Sequence, residues 1–294
     1  MTQVPAAQAK QNTLLAALWT CGSLLLFSLM AVSARELGKR HEVFEILAYR
    51  SLVGLIAVLV AAALFGKLGA IKFTRIPGHA LRNGVHFTGQ SLWFWAVMQI
   101  PLAQVFALEF TSPIWVILLA PLMLGEKLTK VKLFAAALGF AGIWIVAQPD
   151  FSHPSPGAFA AAASAIFFAL TVIFTKKLTR HEELVSIMFW LTLFQGSFGF
   201  ILSMRDGAMV LPDGHSAPWL VVIGLCGVGA HFCLTKALSM APASFVGPID
   251  FLRLPLIALV GAALYGEPLS FALIIGAGLI LLANLLTIHA QRRG

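Results

Sequence analysis

Residues 101–128 read PLAQVFALEFTSPIWVILLAPLMLGEKL, and residues 242–269 read PASFVGPIDFLRLPLIALVGAALYGEPL. Laid over each other without a gap, Pro101 falls on Pro242, Glu109-Phe110 on Asp250-Phe251, Gly125-Glu126 on Gly266-Glu267 and Leu128 on Leu269. The offset is 267 − 126 = 141 residues. Outward from there, the same register puts Phe27 and Leu29 on Phe168 and Leu170. The chain is therefore two copies of one unit, residues 1–152 and 153–294, and each copy holds five long apolar runs. Two copies of an odd-span unit joined head to tail must cross a membrane in opposite senses. Such inverted repeats place a substrate path at the interface between the halves.

Composition agrees. The chain has 294 residues, 59% hydrophobic and only 11% charged, too few charges for a soluble surface of that size. Apolar runs of 18 residues or more can cross a hydrocarbon core of about 30 Å as helices. Ten are expected, over 14–35, 44–65, 77–98, 103–123, 131–148, 156–178, 184–203, 217–240, 244–264 and 270–290. Their continuous apolarity favours helices over a barrel, whose strands would alternate. The expected fold is thus an all-α integral membrane protein of ten transmembrane helices in two inverted five-helix repeats. The first run is read as a span and not as a cleaved leader, because it is long and has a repeat mate in the sixth.

The net charge of +8 is explained by loops, not by nucleic acid. With the N-terminus inside, cytoplasmic segments hold twelve Lys and Arg, outer loops hold four (Arg35, Lys39, Arg40 and Arg205), and the other four fall within spans. The positive-inside rule then predicts both termini in the cytoplasm. Cys21, Cys226 and Cys233 lie within spans and form neither a disulfide framework nor a metal pattern. No phosphate-binding G-x-x-x-x-G-K-[ST] loop or G-x-S-x-G elbow occurs, and His41-Glu42 and His181-Glu182 lack the second histidine of a zinc protease. No cofactor, metal or catalytic residue is expected.

A charged side chain within a span costs about 2.5–3.5 kcal/mol on insertion scales, so each one calls for a role. Glu109 in span four and its mate Asp250 in span nine are candidates for substrate binding. Arg253, one turn after Asp250, either neutralises it or offers a fork to a substrate carboxylate. Span three carries His79, Arg82, His86 and Gln90 on one face. His86 and Gln90, with His231 as the mate of Gln90, suit a water-filled cavity, whereas His79 and Arg82 fall near the headgroups. Trp115, beside Thr111 and Ser112 at the centre of span four, offers a flat wall to an aromatic ligand, as do Phe27 and Phe168. Trp93, Trp95, Trp144 and Trp219 sit toward span ends, where interfacial belts place tryptophan. Pro113 and Pro121 interrupt span four, and Pro248 and Pro255 interrupt span nine, marking these two spans as bent path-lining elements with hinges. Glu109, which has no basic residue one turn away, is the candidate for a group that exchanges protons. The small residues Ala135-Ala-Ala-Leu-Gly139 and Gly276-Ala-Gly278 of spans five and ten suit a scaffold or a dimer seam.

Each repeat ends in an apolar helix with Pro, then Leu-Gly-Glu or Tyr-Gly-Glu, then a small-residue helix, over Pro113 to Ala147 and Pro255 to Leu286. With Tyr49-Arg50-Ser51 in span two, this pattern resembles the drug/metabolite transporter superfamily of the EamA type, across nearly the whole chain. The resemblance implies a secondary transporter of the bacterial plasma membrane with one pathway per chain, between the halves. Within it the chain looks most like the branch that exports aromatic amino acids and amphiphilic metabolites, and Arg50 would anchor span two at the outer surface. The expected partners are a small-molecule substrate, membrane lipid and protons, with the oligomeric state left open. An organic-cation exporter using Glu109 and Asp250 is the alternative within transport, and an intramembrane enzyme or lipid-handling protein is the alternative outside it.

Overall fold

A computed structural model describes residues 6–124, 130–147, 155–179, 181–205, 207–240, 246, 249–250 and 252–292. The apolar runs become helices α1 (Ala6–Leu37), α2 (Val43–Leu64), α3 (Ile76–Gln99), α4 (Leu102–Glu109), α5 (Ser112–Leu124), α6 (Lys130–Ala147), α7 (Pro156–Leu178), α8 (Leu184–Ser203), α9 (Ser216–Met240), α10 (Arg253–Tyr265) and α11 (Phe271–Arg292). A short 3-10 turn, Leu68–Ala70, follows α2. Outside spans four and nine, helix ends match the sequence expectation to within two residues, save that α1 begins at Ala6. The repeat boundary at 152/153, Gly125-Glu126 and Pro248 lie outside the described residues.

The closest helix partnerships join one repeat to the other: α1 packs on α9, α3 on α7, α2 on α8 and α6 on α11. In the 141-residue register α1 is the mate of α7 and α9 the mate of α3. The α1–α9 and α7–α3 pairs are thus one pairing seen twice, and the other two pairings map onto themselves. This is the packing that two inverted copies around a pseudo-two-fold axis produce. The small residues of α6 and α11 are used inside the chain: a Cβ on Gly142 would lie 2.8 Å from the Gly276 carbonyl, and one on Gly276 would lie 2.8 Å from that of Gly142. Only glycine lets these two backbones approach so closely, as small-residue seams in membranes do.

Span four is not one bent helix. α4 stops at Glu109 and α5 starts at Ser112, so Pro113 is the second residue of a new helix. The first turn of a helix has no acceptor for its N–H groups, so proline costs nothing there. Pro113 also removes the N–H that would have bonded the Glu109 carbonyl in a continuous helix. Thr111 closes the gap: its hydroxyl donates to the Leu108 carbonyl (2.7 Å), and its own carbonyl accepts from Ile114 N (2.9 Å). That diverts Ile114 from the Phe110 carbonyl, which instead accepts from the Asn284 amide of α11 (2.7 Å). Asn284 is 1% exposed. A broken helix at membrane depth needs such a partner for each freed backbone group. Pro255 likewise falls in the first turn of α10, so both prolines start helices where kinks were expected. Helix α5 runs on through Pro121.

The Gly-Glu motif of the second repeat has a visible purpose. Gly266 ends α10 in the left-handed conformation (φ 65°), and the cap is closed by its N–H donating to the Ala262 carbonyl and that of Glu267 to the Gly261 carbonyl. The turn aims Glu267 across the bundle. Its carboxylate pairs with Arg35 at the end of α1 and accepts from Leu102 N at the start of α4 (2.8 Å). Arg35 also donates to the Val97 and Ile100 carbonyls at the end of α3. One acidic residue thus ties the second repeat to three elements of the first, at one end of the bundle.

Candidate functional site

Between the halves lies a cavity of about 350 Å³. Helices α1, α3, α7 and α9 supply most of its wall, and the broken spans supply Glu109, Ser112 and Arg253. Seven of the nine expected binding residues line it: Phe27, His86, Gln90, Glu109, Phe168, His231 and Arg253. His86 and Gln90 were legible from their shared helical face, Glu109 and Arg253 as charges within spans, and His231, Phe27 and Phe168 from the repeat register.

The other two lie apart from it. Trp115 sits beyond the helix break and packs edge-on against Phe140 of α6, with ring centroids 5.0 Å apart. Asp250 stands behind Arg253 and touches its guanidinium at 3.4 Å.

Arg253 is the most heavily engaged group in the site. Its guanidinium lies 3.4 Å from Asp250 and 3.6 Å from Glu109, one carboxylate from each repeat. Phe27, Phe106 and Phe110 surround it with ring centroids 4.8, 5.2 and 4.8 Å from its central carbon. Desolvated cation–aromatic contacts of this kind add to the ion pairs. The expected pairing with Asp250 is present. Glu109 has no basic residue one turn away in its own helix, and its basic neighbour comes from the other repeat. Glu109 has a further partner in Trp93, whose indole N–H donates to it at 2.8 Å.

Trp93 corrects the belt reading. It is 3% exposed and lines the cavity, although it lies only two turns from the end of α3. Arg82 is corrected likewise. It does not reach for headgroups: it is 6% exposed, faces the cavity, and donates to Thr175 Oγ1 (3.1 Å) and to Asn83 Oδ1 (2.7 Å). Asn83 is held in turn by the Trp190 carbonyl. His79 departs from the stripe and stacks on Trp190, with centroids 5.8 Å apart. Arg50 is buried, not an anchor at a surface, and donates to Gln90 Oε1 at 3.0 Å.

The wall has two chemical characters. One is aromatic: Phe27 meets His231 edge-on at 5.2 Å, His86 lies 5.8 Å from Phe168 and 6.4 Å from His231, and Trp93 and Phe94 complete a ring-rich surface. The other is ionic. No three His, Cys, Asp or Glu side chains cluster as metal ligands among the described residues. A space of this size, mostly apolar with a few convergent polar groups, suits a small organic molecule, since such pockets span about 300–1,000 Å³. Two inverted five-span halves around a cavity at their interface define a membrane transporter.

The comparisons with known proteins give the family. The chain matches the EamA-like transporter family twice, over residues 14–148 and 155–288, and belongs to it, within the drug/metabolite transporter superfamily. Among its relatives is a riboflavin transporter of Rhizobium johnstonii, 30% identical over 295 residues that cover 100% of this chain and 97% of the relative. A riboflavin transporter of Vibrio cholerae is 28% identical and covers 93% of each chain. An S-adenosylmethionine uptake transporter of Rickettsia prowazekii is 25% identical over 94% of this chain and 92% of its own. A crystal structure superposes with a TM-score of 0.67 over 95% of this chain and 98% of its own at 21% identity, which shows the shared fold.

Proposed function

We propose that this protein carries flat, ring-bearing metabolites of the flavin kind into the cell across the bacterial plasma membrane. Its halves give the central cavity alternating access to the two sides, and both termini lie in the cytoplasm. The observation that carries this reading is the aromatic wall: Phe27, Trp93, Phe94 and Phe168, with the rings of His86 and His231, face one space of about 350 Å³. Ring faces hold a planar heterocycle by stacking, at about 0.5–1.5 kcal/mol per pair beyond area burial. Relatives named riboflavin transporter over the full chain length support the substrate class, and relatives named for uptake support the direction. Substrate and direction thus differ from the amino-acid export that the sequence suggested. Aromatic amino acids remain a second reading, favoured by Glu109 and Arg82 on one cavity, which could hold an amine and a carboxylate. In this reading the breaks beside Pro113 and Pro255 are the hinges.

The test is counterflow in proteoliposomes. Vesicles preloaded with unlabelled riboflavin should accumulate labelled riboflavin, and vesicles preloaded with phenylalanine should not accumulate labelled phenylalanine. The opposite result selects the amino-acid reading, and no counterflow of either rejects transport of ring compounds. Accumulation driven by an imposed pH gradient would add the proton as a coupled ion. For orientation, single cysteines at Gly207 and Gly69 in a cysteine-free background should label from opposite sides, with Gly207 outside.

A further inference from the structure

Three guanidinium groups are buried at or just behind the cavity wall, those of Arg50, Arg82 and Arg253, at 8%, 6% and 5% exposure. Two carboxylates accompany them, Glu109 and Asp250, and both lie within 4 Å of Arg253. Among the described residues no carboxylate lies within that distance of Arg50 or Arg82. Three positive charges against two leave the site one positive charge in excess, and the excess sits on the α3–α7 side, away from Arg253. An isolated charge at low dielectric is expensive, and burial is tolerated when a partner or a counter-ion is supplied. Arg50 turns one arm to Gln90 and lies over the Phe94 ring, behind the wall. Arg82 is the one that faces the space.

Its geometry is that of a held but unspent fork. Nε donates to Thr175 and Nη1 to Asn83, which fix the plane of the guanidinium with two of its five N–H groups. Thr171, one turn before Thr175 on α7, lines the same space, with its hydroxyl donating to the Phe167 carbonyl (2.8 Å). His86, one turn along α3 from Arg82, has no hydrogen-bond partner for either ring nitrogen although it is 5% exposed. A planar fork fixed from behind, beside a ring nitrogen able to donate, is a receptor for a carboxylate or a phosphate.

We infer that Arg82, oriented by Thr175 and Asn83 and assisted by His86, forms an anion subsite at the α3–α7 wall. It takes the carboxylate or phosphate of a substrate whose flat ring lies on the aromatic wall. This assignment rests on the ring-binding reading above and adds that the substrate is anionic at one end. The fork expected of Arg253 is supplied by Arg82 instead.

Two matched ligand pairs test it on the full chain in nanodiscs: riboflavin against riboflavin 5′-phosphate, and 2-naphthamide against 2-naphthoate, with affinity read by calorimetry at fixed ionic strength. The wild-type protein should favour an anionic member over its neutral mate by roughly tenfold or more, the scale of one or two charge-assisted hydrogen bonds. Preference for the flavin phosphate alone assigns a phosphate, and preference for the naphthoate alone assigns a carboxylate. In Arg82→Gln the ratio within each pair should collapse toward one, and Arg82→Lys should keep most of it. Thr175→Val, which releases the fork but keeps its charge, should lower the ratio by a smaller factor, and it serves if Arg82→Gln does not fold. Equal affinity within both pairs overturns the subsite, and so does a ratio left unchanged by Arg82→Gln, or by Thr175→Val where that variant is the one that folds. Neutral ligands that bind with no gain from the anion leave the ring reading standing alone. Anions that bind while both neutral mates fail leave the subsite and remove the ring reading.

Discussion

Arg253 and Arg82 are buried to nearly the same degree on the wall of one cavity, yet they stand in opposite electrical surroundings. Arg253 is held by a carboxylate from each repeat and ringed by three phenylalanines. Arg82 has a hydroxyl and an amide. The first has its charge matched within the protein, although its buried Nε has no hydrogen-bond partner, and it joins the halves. The second has no carboxylate within 4 Å among the described residues, so its charge is unmatched. The lesson is that burial and cavity lining do not identify a ligand-binding charge. A charge that faces the cavity and has no opposite charge beside it does.

The contrast predicts a large difference between two similar substitutions. Arg253→Gln removes the cation between Glu109 and Asp250 and leaves two carboxylates facing each other, and breaking a buried pair costs about 3–5 kcal/mol. Its expected result is a large fall in the thermal midpoint, partly restored by adding Glu109→Gln and Asp250→Asn. Arg82→Gln should leave that midpoint nearly unchanged. Equal losses in the two variants would break the comparison, because Arg82 would then be as structural as Arg253.

A smaller effect is expected at Asn284, whose amide satisfies the Phe110 carbonyl and so stabilises the break that sets Glu109 against Arg253. Asn284→Ala removes that hydrogen bond, at a net cost of about 0.5–1.5 kcal/mol. Thermal unfolding should show this loss, and the anion-to-neutral affinity ratio at Arg82 should not move. A changed ratio would mean that the two arginines are coupled through the broken helix.

Trp93→Phe comes next. It keeps a ring on the wall and removes one hydrogen bond to Glu109, with a net cost of about 0.5–1.5 kcal/mol. Riboflavin counterflow should persist with a modestly raised half-saturation concentration, and loss of all flux would move Trp93 from the Arg253 network into direct ring binding.

The smallest effect is set by Asp213, outside the spans. Its carboxylate accepts from the Ser216 and His215 N–H groups at the start of α9, and bonds to Ser216 and His215 with the nearby Arg40 lower its pKa from the ordinary 3.8 to about 2. A depressed acidic pKa contributes stability that is complete above the unfolded value and is lost as pH falls from about 4 toward 2. The contribution of Asp213 to the thermal midpoint should therefore be constant between about pH 5 and 8. A difference between wild type and Asp213→Asn that varies over this range would contradict the assignment.

The 141-residue register, the ten spans and seven of the sixteen cavity residues were legible from local pattern: apolar length, helical period, charges within spans and repeated motifs. The break at 110–111 was not. Residues 103–123 read as one apolar run, and the group that completes the broken backbone, Asn284, comes from the last helix of the other repeat. Glu109 and Arg253 meet for the same reason, across 144 residues (253 − 109) that no spacing rule connects. Trp93 and Arg82 were misplaced by a rule of averages: residues near a span end face the interface unless a neighbouring helix covers them, and here α7 and α8 pack over α3. Trp115 went astray because the break separates it from the face that carries Glu109.

The polar stripe of α3 also bears on how the chain is made. Among the described residues five helices are long and apolar enough to cross a membrane unaided, within α1, α2, α7, α8 and α9, and α3 is not one of them. The threonine that receives Arg82 is residue 175, and the carbonyl that holds Asn83 belongs to residue 190. When α3 leaves the ribosome, both lie in chain yet to be translated. The third helix therefore gains these partners for Arg82 and Asn83 only when the second half arrives. A nascent chain halted before residue 175 should hold residue 82 in water, and one halted after residue 203 should not.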